Sequence, residues 1–238
     1  WYENLVHETF KLFNGWTTQA CSPEARRLTK ILIGPWHHGN TGSAEPFGSI
    51  GFGGAAALEF VEEQLRWYDR RLKGVDNGMD DEPQVHIFVM GENVWRFEKK
   101  WPLARTRYTS YYLHSRGGAN SLHGYGSLSV SPPEDEPADQ YRYDPQDPVP
   151  TLGGQAAPVV AAGSRLWRCG PWDRRPVEGR DDVLVYTTEH LERDVKVTGP
   201  VSLTLFASSS APDTDFTGTL VDVHPDGKAI IICEGLLR

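Results

Sequence analysis

The chain has 238 residues, 39% of them hydrophobic, with eight Trp, nine Tyr and nine Phe, which is enough apolar bulk for a packed core. A net charge of −8 without any basic stripe argues against nucleic acid as a partner. No apolar run approaches the ~20 residues of a membrane span, and no membrane association is expected.

In chain order, "ENLVHETFKLFNG" places Val6, Phe10 and Phe13 on one helical stripe, and Asn14-Gly15 supplies a stop. Residues 28–34 ("LTKILIG") read as a strand and the polar, Gly-rich 39–54 as a loop. "AAALEFVEEQLRWYDRRLKG" is the clearest helix, with Leu58, Val61, Leu65, Tyr68 and Leu72 in the i, i+3, i+4 rhythm and Gly74 at its end. After residues 76–83 the texture changes. "QVHIFVMG", "RYTSYYLHS", "GSLSVSP", "DVLVYTTE", "VSLTLFASS", "TGTLVDVHP" and "KAIIICEG" are short β-type runs between turn residues, and no good helix is expected beyond residue 75. Residues 131–165, rich in Pro, Asp and Gly, are expected to form a long ordered loop crossing a sheet. The expected fold class is therefore α/β plus all-β, with residues 1–76 as an α/β unit and 77–238 as a β-sandwich.

Cys21, Cys169 and Cys233 are dispersed, odd in number and in no metal or redox spacing, and read as ordinary thiols of a reducing, cytoplasmic setting. The opening on Trp1 and the strand-like close "AIIICEGLLR" lead us to expect a piece of a longer protein. Asp80, Asp81 and Glu82, and Asp213 with Asp215, lack the alternating oxygen ligands of a calcium loop and read as turn and capping residues. No metal or cofactor is expected.

The histidines carry the chemistry. His7, His86, His114, His123, His190 and His224 are scattered and read as structural or solvated. His37 and His38 directly follow a buried-strand pattern, and adjacent residues of an extended loop point opposite ways, so one of the two should face a site. They lack the same-face spacing of a zinc pair. A general base needs an acid to orient it. Glu3, separated from His38 by one helix and one strand, fits the acid of an α/β-hydrolase order, in which Ser precedes Asp/Glu and His. Spacing alone favours Glu3 as a first-turn carboxylate stabilised by the helix dipole over the acid role.

"GPWHHG", "WYDRRLKGVDNGMDDEPQVHIFVMGENVWR", "YDPQDPVPTLGG", "RPVEGRDDVLVYTTE" and "VTGPVSLTLFASSSAPDTDFTGTLVDVHPDG" resemble the CocE/NonD (cocaine esterase / glutaryl acylase-type) hydrolases, relatives of the X-Pro dipeptidyl peptidases. The resemblance covers nearly the whole chain. It implies the last piece of an α/β-hydrolase domain followed by a jelly-roll-like β domain, incomplete at its C-terminus. By the family's Gly-Pro-Trp motif the catalytic histidine is His38, and Trp1-Tyr2-Glu3 supplies the acid, with Glu where the family usually has Asp. Trp36, and with it Phe47, flank the histidine loop and are candidates to line an acyl pocket, against a packing role for each.

The sequence contains no Gly-x-Ser-x-Gly elbow. "GSIGFGG" follows the histidine and is not in a strand-turn-helix setting, so the nucleophile is expected upstream of residue 1 and the 238 residues alone are expected to be inactive. The expected substrate is an acyl ester or amide, ahead of a short X-Pro peptide. Asn4, Leu5 and Val6 after Glu3 do not supply the extra carboxylates with which amino-acid ester hydrolases bind an ammonium. A homo-oligomer is compatible with this reading. The competing reading is a non-catalytic β-sandwich module that binds a ligand or carbohydrate, although such a module has no use for the histidine loop.

Overall fold

The computed structural model describes residues 1–155 and 169–238, so the end of the expected 131–165 loop lies outside the described residues. The α elements are α1 (Val6–Gln19), α2 (Pro23–Leu28), α3 (Phe60–Lys73) and the four-residue α4 (Arg175–Glu178). The strands are β1 (Ile31–Ile33), β2 (Val85–Val89), β3 (Val94–Glu98), β4 (Tyr112–His114), β5 (Ser127–Ser129), β6 (Phe216–Val223) and β7 (Ala229–Leu237). β1 pairs in parallel with β2, which pairs antiparallel with β3; β4–β5 and β6–β7 are antiparallel pairs. Beyond α3 the chain is β-rich.

β2 is the central strand of the first sheet. Val85 and Ile87 lie opposite Ile31 and Ile33 and close a core with Val6, Phe13, Trp101 and Leu103. Phe88 points to the other face, into a second core with Tyr2, Phe52 and Ala56. Burial on both faces explains why "VHIFV" is apolar at every position but His86. The β1–β2 pairing spans residues 76–83, where the composition changes.

Several elements differ from the sequence expectation. α1 does not stop at Asn14-Gly15 but continues to Gln19. A glycine inside a helix costs only about 1 kcal/mol relative to Ala, and the Phe13 carbonyl that a stop would leave free accepts from the Thr17 hydroxyl at 2.9 Å. α2 went unread: Ser22 accepts from the Ala25 amide at 3.0 Å with Pro23 in the first turn, a regular N-terminal cap. α3 begins later than the apolar stripe, because Gly54–Ala56 forms a 3-10 turn and Leu58 lies before the helix. Its end is as expected: Gly74 takes the left-handed conformation at φ 72° and donates to the Asp69 carbonyl. Arg70 and Arg71 of its last turns clamp Asp80, whose carboxyl is pulled down to about 2 by those guanidinium hydrogen bonds, and Arg66 pairs with Glu82. β3 was also missed, since Val94 and Phe97 blur its alternation by standing exposed. Among the described residues "VSLTLFASS", expected as a strand, joins no ladder, and "DVLVYTTE" makes single bridges, Leu184 to Asn120 and Thr187 to Ser127.

The segment after β5 is clasped by His114. Its Nδ1 lies 2.6 Å from a Glu136 carboxylate oxygen and its Nε2 2.9 Å from the Ser131 carbonyl, so both ring nitrogens face acceptors and the imidazolium is favoured. Glu136 and the Ser131 carbonyl hold His114 above the ordinary histidine range, and His114 with the Ser115 amide holds Glu136 below the ordinary carboxylate range. The His114 contribution is complete below the ordinary histidine pKa and disappears as pH rises through the raised value. That of Glu136 is present above its ordinary value and disappears as pH falls through the depressed one. The clasp is therefore tightest between them. We expect the urea midpoint of His114→Gln to lie below wild type near about pH 6 and to converge with it near about pH 9. An equal gap at both pH values would exclude a charged clasp.

Candidate active site

The chain leaves β1 through Gly34 and Pro35 and comes to lie beside the N-terminal segment. The Tyr2 amide donates to the Trp36 carbonyl at 3.0 Å, and Tyr2 and His37 form a parallel bridge. Alternation along two paired segments then puts Tyr2 and His37 on one side, and Glu3 and His38 on the other. On the first side the His37 ring packs edge-on against Phe47 with centroids 4.7 Å apart, and Tyr2 packs against the same ring at 5.8 Å. His37 Nδ1 lies 2.7 Å from the His38 carbonyl, and its amide is capped by Asn40 Oδ1 at 2.8 Å. On the second side, His38 Nδ1 is 3.0 Å from Glu3 Oε2.

A carboxylate accepts, so His38 Nδ1 carries the shared proton and the neutral ring keeps its lone pair on Nε2, the form a general base requires. His38 is 65% exposed and Glu3 29%. Among the described residues nothing else bonds to Nε2. The second carboxylate oxygen of Glu3 is buried and finds no donor there either. Its charge is felt by Cys169, a buried thiol pushed up by burial first and by Glu3 in addition.

Trp36, expected as a pocket-lining residue, is 6% exposed, donates through Nε1 to the Ala56 carbonyl at 3.0 Å and packs against Trp95 at 5.5 Å. Its side chain is spent on packing. Phe47 is a packing residue as well, wedged between Tyr2, His37 and Gly170. Gly170 has φ 105°, and a Cβ there would lie 2.4 Å from Phe47 Cδ2. Gly170→Ala should therefore cost about 1–3 kcal/mol through overpacking and backbone strain, read as a lower urea midpoint. An unchanged midpoint would show that the ring yields freely.

The remaining histidines lie elsewhere: His86 is stacked on Phe97 and pushed down by burial, and His224 sits 3.4 Å from Asp222. Asp213 pairs with Arg238. Among the described residues no group of three or more His, Cys, Asp or Glu is placed to hold a metal ion, and no helix is long and apolar enough to cross a membrane. A cleft of about 180 Å³ lies between β1, β2 and α3 and one of about 450 Å³ along α1, and neither includes Glu3 or His38. The sequence reading missed Tyr2, which sits beneath the pair.

Residues 77–238 match the family described as the X-Pro dipeptidyl-peptidase C-terminal non-catalytic domain. The chain belongs to this family. Glu3 and His38 precede the matched residues. Over all of its length the chain is 43% identical to cocaine esterase from Rhodococcus sp. (strain MB1 Bresler), of which it covers 39%. A Mycobacterium bovis protein provisionally named serine esterase Mb1866c is 32% identical over 209 residues, 87% of this chain and 30% of that protein. Among solved structures, an aminopeptidase from a marine sediment Thaumarchaeota archaeon superposes with a TM-score of 0.68 at 26% identity, covering 96% of this chain and 37% of that one. The chain thus spans well under half the length of these relatives. Its likeness to the CocE/NonD hydrolases agrees with the sequence reading, and its 77–238 portion is the β-rich C-terminal domain of the family.

Proposed function

We propose that this chain is the C-terminal portion of a serine hydrolase that cleaves acyl esters or amides. Residues 1–76 would then be the tail of the α/β-hydrolase domain and 77–238 a jelly-roll-like domain. The observation that carries this reading is the 3.0 Å contact of His38 Nδ1 with Glu3, in a chain alignable with 39% of an esterase. The exposed apolar faces of α1 (Leu12, Trp16) and α3 (Val61, Leu65, Leu72) suit helices against which more chain packs.

In the reaction, a serine contributed upstream attacks the acyl carbonyl while His38 Nε2 takes its proton. His38 returns that proton to the leaving alcohol or amine, and then repeats both transfers with water. Glu3 keeps the proton on Nδ1 and stabilises the imidazolium as it forms. Donors of the oxyanion hole come from the same upstream part.

The 238-residue chain alone should neither hydrolyse a p-nitrophenyl acyl ester nor take up a fluorophosphonate. The same chain extended upstream through a Gly-x-Ser-x-Gly strand-turn-helix should do both. Fluorophosphonate-sensitive turnover by the 238 residues, or an extended chain that stays unlabelled, overturns the reading.

A further inference from the structure

Tyr2 ties the segment that carries Glu3 to the other end of the chain. Its side chain is 2% exposed, lies between Phe47 and Phe52, and donates its hydroxyl to the Ile231 carbonyl of β7 at 3.1 Å, across 229 residues. Burial pushes the phenol well above the ordinary tyrosine range, so the hydroxyl stays a donor. A second tie runs alongside: Gln155 donates through Nε2 to the Trp1 carbonyl at 3.2 Å, while its amide donates to Glu234 of β7 at 3.0 Å. The histidine loop reaches the same strand by another route. The Ser49 amide donates to the Pro171 carbonyl at 2.9 Å, and the Ile231 amide to the Trp172 carbonyl at 3.2 Å.

The segment of the acid is thus tied directly to one strand of the β-rich domain, and the loop that follows His38 reaches the same strand through residues 171–172. The backbone of Glu3 follows directly on an anchored side chain. We infer that Tyr2 is a positioning residue. Its hydroxyl, fixed on the Ile231 carbonyl, sets Glu3 against His38, so that a domain described as non-catalytic determines the geometry of the pair. The inference rests on the reading of Glu3 and His38 under Proposed function. It extends that reading by assigning the alignment of the pair to β7.

The tautomer of His38 tests this without requiring turnover. In the 238-residue chain, labelled with nitrogen-15 on histidine and held at a pH where imidazole is neutral, the two ring-nitrogen shifts report which nitrogen bears hydrogen. His38 is assigned by the signals lost in His38→Gln. The Nδ1–H form should dominate in wild type, and Glu3→Ala should restore the Nε2–H preference of a free imidazole. Tyr2→Phe, which removes one oxygen and keeps the ring packing, should lower the Nδ1–H to Nε2–H ratio about twofold or more, and Gln155→Ala should lower it by less. A Tyr2→Phe ratio equal to wild type, alongside a responsive Glu3→Ala, overturns the positioning role and leaves the pair standing. A Glu3→Ala ratio equal to wild type overturns the pair itself. Should Tyr2→Phe fail to fold in buffer, its ratio is read with a stabilising osmolyte present in all samples, and a value equal to wild type there overturns the positioning role.

Discussion

In the upstream-extended hydrolase, His38→Ala should lower kcat/KM for a p-nitrophenyl acyl ester on the order of 10⁴-fold or more, while the 238-residue chain carrying it keeps a nearly unchanged thermal midpoint. The size follows from the role: without Nε2 there is no acceptor for the serine proton in either half of the reaction. The insensitivity of the fold follows from the geometry. Within these 238 residues His38 is 65% exposed and, among the described residues, its side chain bonds to Glu3 alone, so His38→Ala empties no core of this chain and should shift its own thermal midpoint by no more than a surface change does, within about 0.5 kcal/mol. His37→Ala separates the two members of the doublet. His37 packs on Phe47 and belongs to the Tyr2 side of the bridge, so its removal should loosen the loop and cost activity far less. Equal losses from the two substitutions, or an unchanged kcat/KM in His38→Ala, would move the base elsewhere.

The largest effect on stability is expected from Phe88→Ala, at about 3–5 kcal/mol, a large share of the 5–15 kcal/mol that holds a typical domain together. Phe88 is fully buried and packs edge-on against Phe52 and Trp95 at 6.2 and 5.3 Å. Its carbonyl also accepts from the Trp1 indole at 2.6 Å. Truncation leaves a cavity in the small core that contains Tyr2, so the loss should reach the Glu3 segment as well. Urea unfolding measures it, as a lower midpoint with an unchanged slope. A cost below about 1 kcal/mol would mean that the core collapses around the gap.

What was legible in the sequence was local. "ILI" declared β1 as a short apolar run, with Ile31 and Ile33 buried and Leu32 half-buried, and Gly74 declared the end of α3 through its left-handed conformation. Adjacent histidines after a strand implied opposite orientations, as the side chains of His37 and His38 have. The unreadable parts depend on distant partners. Trp36 could not be told from a pocket residue until the Ala56 carbonyl met its indole. "VSLTLF" has strand periodicity yet no strand among the described residues pairs with it, and β3 forms despite weak alternation because β2 offers it a ladder. Nothing in Trp1-Tyr2-Glu3 announces a bond to residue 231.

The pairing of β1 with β2 also bears on how this architecture is inherited. The family match begins at residue 77, yet Val85 and Ile87 lie against Ile31 and Ile33. A polypeptide cut at 77 would expose one edge of β2 and half of its apolar ladder, an invitation to edge-to-edge association. The C-terminal domain is therefore poorly suited to exchange as a free-standing cassette. Recombination that preserves folding should carry it together with the strand that precedes the histidine loop, so that the site and its neighbour diversify as one unit.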